Sequence, residues 1–147
     1  MAAVSVRDGT LDDIERIYAG IPEFDQEQND ASDFMRRLSR DRAIVLVAEV
    51  GGGLAGFKAG YDRYRDGSFY SWLGAVLPEY RKQGIALALM QEQEARLKEL
   101  GFDRVYVKTR NKFVAMRVLL ARNGYQVIDV DTTHGLDEGR ITHVKYL

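Results

Sequence analysis

The order of apolar and polar positions divides the chain into strand-like and helix-like stretches. Val4–Arg7 alternates as a short strand. Leu11, Ile14, Ile17 and Tyr18 then recur on one helical face, which predicts a helix over Leu11–Gly20. Thr10 is its N-cap, and Asp12 and Asp13 stand in the first turn, where the helix dipole favours anions. Ile21–Asp30 breaks the pattern, and a second helix is expected over Ser32–Arg40 with Phe34, Met35 and Leu38 inward. A β-rich half follows as Ala43–Val50, Leu54–Tyr64 and Phe69–Leu77. The triple glycine at Gly51–Gly53 and the turn Arg65–Ser68 separate these strands, so antiparallel hairpins are expected.

Gly84–Leu100 carries the most regular helical stripe: Ala86, Leu89, Met90, Gln93, Leu97 and Leu100, stopped by Gly101. Arg104–Thr109 reads as a strand. A strand–helix–strand unit of this length makes a right-handed crossover, so this strand should run parallel to Phe69–Leu77. A helix over Lys112–Asn123, packing Phe113, Met116, Leu119 and Leu120, ends at Gly124. Strands over Tyr125–Asp131 and Ile141–Tyr146 complete the pattern. The expected fold is α+β: a mixed, mostly antiparallel sheet with one parallel strand pair, flanked by about four helices.

Composition narrows the function. A chain of 147 residues buries about 70% of the surface its unfolded form exposes, and no repeat or linker divides it, so residues 1–147 are read as one domain. Its 21 basic and 22 acidic side chains leave no global field for nucleic acid or an anionic membrane. Any anion site must therefore be local. The absence of cysteine excludes disulfides, thiolate metal sites and a cysteine nucleophile. No apolar run approaches the ~20 residues of a membrane span. The N-terminal stretch turns acidic early and does not read as a signal peptide, so a cytoplasmic location is expected. His134 and His143 are spaced like neither a metal pair nor a triad and are expected at the surface; no metal is expected.

Two glycine-rich patterns have different contexts. Gly51, Gly53 and Gly56 satisfy G-x-G-x-x-G, but the alternating "FKAGYDRY" after them reads as a strand, whereas a dinucleotide site needs a helix there. A hairpin turn fits better. A P-loop fails because Phe57, not Gly-Lys-Ser/Thr, follows Gly56. "PEYRKQGIALALM" does have a strand before it and a helix after it. A helix start carries unpaired N–H groups and a partial positive charge, and each cation there costs about 0.3–1 kcal/mol. Arg81 and Lys82 are crowded against that end. Gly84 permits close backbone approach, small Ala86 leaves the next turn open, and the N–H groups of Lys82–Ala86 can ring a phosphate. The alternative is a basic, solvated helix start.

"GAVLPEYRKQGIALALM", followed by "RNKFVAMRVLLARNGY", resembles the acetyl-CoA-binding region of the GNAT superfamily of N-acetyltransferases. The signature Q/R-x-x-G-x-G/A is met by Arg81, Gly84 and Ala86. The resemblance implies an acetyl-CoA-dependent N-acetyltransferase that moves an acetyl group to a primary amine by direct attack in a ternary complex. It implies that acetyl-CoA, as cosubstrate, lies where the Phe69–Leu77 and Arg104–Thr109 strands splay. Its pyrophosphate would rest on Arg81, Lys82, Gln83, Gly84, Ile85 and Ala86, and its pantetheine arm on main-chain groups of Ala75, Val76 and Leu77. An N–H near Ala75–Val76 would polarise the thioester carbonyl, Gly74 would allow the strand-opening bulge, and Asn111 would stand near the cofactor arm or cap the following helix.

The resemblance leaves the proton transfers open. "FYSW" offers no carboxylate where many relatives carry a glutamate base, which leaves Glu23, Asp25, Asp62 or a water chain. The usual tyrosine acid, four residues before Gly124, is Leu120, which leaves Tyr125, Tyr80 or solvent. Phe24, Tyr61, Tyr64, Tyr70 and Trp72, with Glu23, Asp25, Glu27 and Asp62, suit a cationic amine on a small molecule, peptide or protein. A homodimer is implied by family habit. The rival reading is a non-catalytic acyl-CoA-binding regulatory module.

Overall fold

The computed structural model describes residues 3–24, 31–40 and 42–147; Asp25 and Glu27 lie outside them. The elements are β1 (Val4–Asp8), α1 (Leu11–Ala19), α2 (Ala31–Leu38), β2 (Ile44–Val50), β3 (Gly53–Tyr61), β4 (Ser68–Val76), α3 (Ile85–Glu99), β5 (Arg104–Arg110), α4 (Val114–Arg122), β6 (Gln126–Asp131) and β7 (Arg140–Tyr146). A single 3₁₀ turn, Pro78–Tyr80, joins β4 to α3. The seven strands are ordered β1-β2-β3-β4-β5-β7-β6, and every neighbouring pair is antiparallel except β4–β5.

Local chemistry accounts for the element ends. The Asp13 N–H donates to Thr10 Oγ1 (3.2 Å) while Asp13 Oδ2 accepts from the Thr10 N–H (2.9 Å), a capping box that starts α1. Gly51 and Gly52 turn the β2–β3 hairpin with φ of 59° and 83°, so the first glycine pattern is turn chemistry. α1 and α2 cover one face of the sheet, where Ile14, Ile17, Tyr18 and Phe34 pack on Val47, Phe57 and Ala59. α3 and α4 cover the other, with Met90, Leu97 and Leu120 against Phe69, Val105 and Val107. Each fully buried side chain of this size contributes about 1.5–3 kcal/mol.

Four expectations change. Met35 is 60% exposed, because in a two-turn helix only the Phe34 direction meets the sheet. Leu100 lies beyond the last turn of α3 and is exposed. His143 is only 3% exposed, since it points from β7 under α4. α4 begins at Val114 with Phe113 as N-cap, so Asn111 does not cap it; the Asn111 N–H donates to Gly139 O (2.8 Å).

The feature that positions the site is an opening in the sheet. β4 pairs with β5 only from Ser68–Arg104 to Ser71–Val107. Beyond that point the two strands have no ladder between them, although both continue. On its other edge β4 carries a bulge: Ala59 pairs with Leu73 but Tyr61 with Tyr70, so Gly60 faces both Ser71 and Trp72. A Cβ on Gly60 would sit 2.3 Å from Tyr70 O and 2.5 Å from the Phe69 ring. Gly60, not Gly74, is therefore the glycine the bulge requires; Gly74 pairs regularly with Lys58.

Candidate active site

The turn leading into α3 lies at the α3/α4 mouth of this opening. Lys82 has φ 62° and Gly84 φ 78°, two left-handed residues that turn successive amides in one direction. For lysine that conformation costs about 1 kcal/mol. Among the described residues, no protein acceptor receives the N–H of Lys82, Gln83 or Gly84, and α3 has no side-chain cap and no acid in its first turn. A Cβ on Gly84 would have no neighbour within 4 Å. The amides thus face open space, which suits a phosphate, and the phosphate-bearing cosubstrate implied by the sequence fits them on these grounds.

Arg81 is held differently from the expectation. Its Nε donates to Val76 O (3.1 Å) and its Nη1 and Nη2 to Glu23 (3.3 and 2.6 Å). Glu23, a candidate base, thus faces Arg81 with both oxygens. The pair is about 40% exposed on each side, so it is worth about 0–1 kcal/mol and yields readily to a phosphate.

Along β4 the main-chain groups alternate in direction. The Leu77 N–H donates to Ala55 O (2.8 Å), so Leu77, and by alternation Ala75, face β3. Val76 and Gly74 face the opening. Of the three residues expected to carry the cofactor arm, Val76 is the one whose main chain is turned toward it. Gly74 is the one the sequence reading assigned to another role.

The remaining candidates are dispersed. Asp62 closes the β3–β4 turn, accepting from the Arg65 N–H (3.1 Å). Tyr125 is buried and its hydroxyl donates to Glu94 Oε2 (3.0 Å), while Lys145 donates to Oε1 (2.6 Å). Burial first, then the Glu94 charge and hydrogen bond, hold the Tyr125 phenol well above the usual tyrosine range. Such a proton is poorly placed for donation. Leu120 is fully buried in the core. Asn111 and Tyr125 share a cavity of about 440 Å³ between α4, β6 and β7, whose lining includes neither β4 nor the Arg81–Ala86 turn. Buried His143 lines that cavity too, its Nδ1 without a hydrogen-bond partner among the described residues.

At the α1/α2 mouth the aromatic residues do assemble. Phe24 packs tilted against Tyr18 at 4.8 Å between centroids and Phe34 tilted against Trp72 at 5.8 Å, and Tyr61 meets Tyr70 edge-on at 5.8 Å. Among the described residues, arginines and a lysine stand around them. Arg37 lies 4.9 Å over Trp72 and donates to the Tyr61 hydroxyl (3.1 Å). Sequence reading also passed over Lys58. The alternation of β3 turns it away from Phe57 and Ala59 into the α3 face, where it is buried and desolvation pulls its ammonium down to about 8, Glu94 opposing.

Comparisons with known proteins agree with this geometry. Residues 11–125 match the model of the acetyltransferase (GNAT) family. An acetyltransferase of Pectobacterium atrosepticum is 34% identical over 101 residues, 68% of this chain and 70% of its own length. The ribosomal-protein-S18-alanine N-acetyltransferase of Escherichia coli superposes with TM-score 0.83 at 18% identity, over 98% of this chain and 94% of its own. The PaiA N-acetyltransferase of Thermoplasma acidophilum, solved with coenzyme A, gives TM-score 0.76 at 17% identity, over 99% of each chain. The chain belongs to the GNAT acetyltransferase family and has its fold. Among the described residues, no helix is long and apolar enough to cross a membrane.

Proposed function

We propose that this chain is an N-acetyltransferase that moves an acetyl group from acetyl-CoA to a primary amine by direct attack in a ternary complex. The observation that carries this reading is the opening between β4 and β5, with donor amides at one mouth and an aromatic wall at the other. The amides of Lys82–Ala86 receive the pyrophosphate, with Lys82 and a released Arg81 adding charge. Gly74 and the Val76 N–H offer their main-chain edge to the pantetheine arm as an added strand would, while the Val76 carbonyl accepts from Arg81 Nε. The Val76 N–H faces the opening and serves as the donor toward the thioester oxygen. With one mouth taken by the cosubstrate, the amine arrives from the α1/α2 mouth.

The proton steps follow from what the described residues do not offer. Asp62 and Glu23 are engaged elsewhere, so the ammonium proton leaves through water at the α1/α2 mouth. A thiol has a pKa of about 8.5, so the departing thiolate is a tolerable leaving group near neutrality and needs no buried phenol to protonate it. Leu120 at the usual acid position accords with this. The rival, a non-catalytic acyl-CoA-binding module, is favoured by the same Leu120. Calorimetry with acetyl-CoA and a thiol-release assay over an amine and peptide panel separate the two. Binding with acceptor-dependent thiol release supports transfer. Binding without release above background hydrolysis supports the module.

A further inference from the structure

Among the described residues, the α1/α2 mouth gathers several cations around its aromatic rings. Tyr70 stands one residue before the last β4–β5 pair. The Arg63 guanidinium lies 5.0 Å from the centre of its ring and the Lys108 ammonium 5.8 Å from it. Arg40 lies 5.4 Å over the adjoining Tyr61, whose hydroxyl accepts from Arg37. Among the described residues, no carboxylate forms an ion pair with Arg37, Arg40, Arg63 or Lys108, whereas nearby Arg36 and Arg104 pair with Asp33 and Asp66 at 3.0 Å each. Arg37 Nε is buried with no acceptor among the described residues. Beside these residues lies a cavity of about 420 Å³ lined by Ser39, Arg40, Asp62, Arg63 and Arg65.

Four cations drawn to the three rings of Tyr61, Tyr70 and Trp72 repel one another, and ring faces compensate only in part. Burial, then the charges of Arg63 and Arg140, hold the Lys108 ammonium below the usual lysine range, with Asp129 opposing; this is the direction such crowding produces. An ammonium or diamine arriving here would add to the repulsion. An acceptor with its own anion would relieve it. The same field lowers the pKa of the acceptor's ammonium, which favours the neutral amine at a site where the described residues offer no free carboxylate as base.

We propose that the acceptor is an amine that also bears a carboxylate or phosphate-type anion. The anion is seated against Arg63, Lys108 and Arg37, and the nitrogen points into the opening. This rests on the acetyl-transfer reading, which makes that mouth the acceptor's entrance. In the transfer itself the amine nitrogen bonds to the acetyl carbon, the C–S bond breaks to give the CoA thiolate, and the proton lost from nitrogen passes to water.

The test is calorimetry on the CoA-saturated protein with four amines of matched length: 4-aminobutyrate, 3-aminopropylphosphonate, 4-amino-1-butanol and 1,4-diaminobutane. The peptides Ala-Asp-Ala and Ala-Lys-Ala, both with amidated C-termini so that only the central side chain differs in charge, give a second arm, which separates a small-molecule source of the anion from an acidic peptide. The anionic amines, or the acidic peptide in its pair, should bind about tenfold or more tighter than their neutral or cationic counterparts, the effect of one charge-assisted contact. Arg63→Gln and Lys108→Gln should each remove most of that preference and leave amino-alcohol binding and the melting temperature unchanged. Equal binding across the series, tighter binding of the diamine or of Ala-Lys-Ala, or no binding by any member overturns the proposal. Selective binding of the anionic members without thiol release from acetyl-CoA upholds it and refutes the transfer reading instead.

Discussion

Both mouths of the β4–β5 opening are basic, but they are built in different ways. At the α3/α4 mouth, Arg81, Lys82 and the amides up to Ala86 are neighbours in sequence, and left-handed φ values at Lys82 and Gly84 aim them. At the α1/α2 mouth, Arg37 comes from α2, Arg63 from the loop after β3 and Lys108 from β5, gathered around rings on β3 and β4. The first is a backbone device and should tolerate side-chain change except at glycine. The second is a side-chain device and should be tunable residue by residue without loss of fold.

The largest effect that sharpens this contrast is expected at Gly84. Gly84→Val should weaken acetyl-CoA binding by about 100-fold, roughly 2.7 kcal/mol. Its cost in stability should be smaller, about 1–2 kcal/mol of left-handed strain, because the new Cβ meets nothing. Calorimetry and urea unfolding on the same protein check both numbers; equal losses would mean that Gly84 serves the fold alone.

Lys58 gives the next largest, and it separates a buried cation from the solvated ones at the mouths. Its ammonium titrates near 8 in the folded chain and at about 10.5 unfolded. Below pH 8 it is charged in both states, and the fold carries the full burden of burying it. Between those values the folded state releases the proton first, the unfolded state binds more, and stability rises with pH. Lys58→Met should therefore stabilise the protein by about 2–3 kcal/mol at pH 7. The advantage should shrink as the pH passes from 8 toward 10.5. A constant difference across that window would show that Lys58 is not buried as a charge.

Tyr125→Phe should lower stability by about 1–3 kcal/mol, since Glu94 keeps Lys145 but loses its second donor. Turnover should stay within about threefold, because a phenol held this far above its usual range is no acid. A hundredfold fall in kcat with stability intact would restore Tyr125 to the chemistry. The smallest effect belongs to Glu23→Gln, which frees Arg81 from a half-exposed partner. Acetyl-CoA affinity should rise by up to about fivefold, the worth of a surface pair, and turnover should persist. Loss of turnover would make Glu23 the base.

Much of the fold was legible because its signals are local. The Thr10 capping box, the Gly51–Gly52 turn and the stripe from Leu89 to Leu97 each lie within a few residues, and the corresponding elements fall within three residues of expectation. The turn into α3, with Gly84 before the helix, was legible for the same reason. What could not be read depends on which faces meet. Alternation in "FKAGY" shows that Lys58 opposes Phe57, but not that α3 covers that side. The bulge was assigned to Gly74 because glycine is its only local sign. The requirement at Gly60 appears only when the Tyr70 carbonyl and the Phe69 ring are packed across from it. Of the carboxylates expected beside the aromatic residues, Glu23 and Asp62 are engaged by Arg81 and the Arg65 amide, and Asp25 and Glu27 lie outside the described residues. The cations around those rings are separated by 26 and 45 residues in the chain, from Arg37 to Arg63 and from Arg63 to Lys108.

The most direct measurement is residue-resolved amide hydrogen exchange by NMR, with and without saturating acetyl-CoA. Slowed exchange at Lys82–Ala86 and at Val76, with the Leu77 amide already protected in the free protein, is the predicted result. Tight acetyl-CoA binding that leaves the Lys82–Ala86 amides exchanging as fast as before would contradict the site.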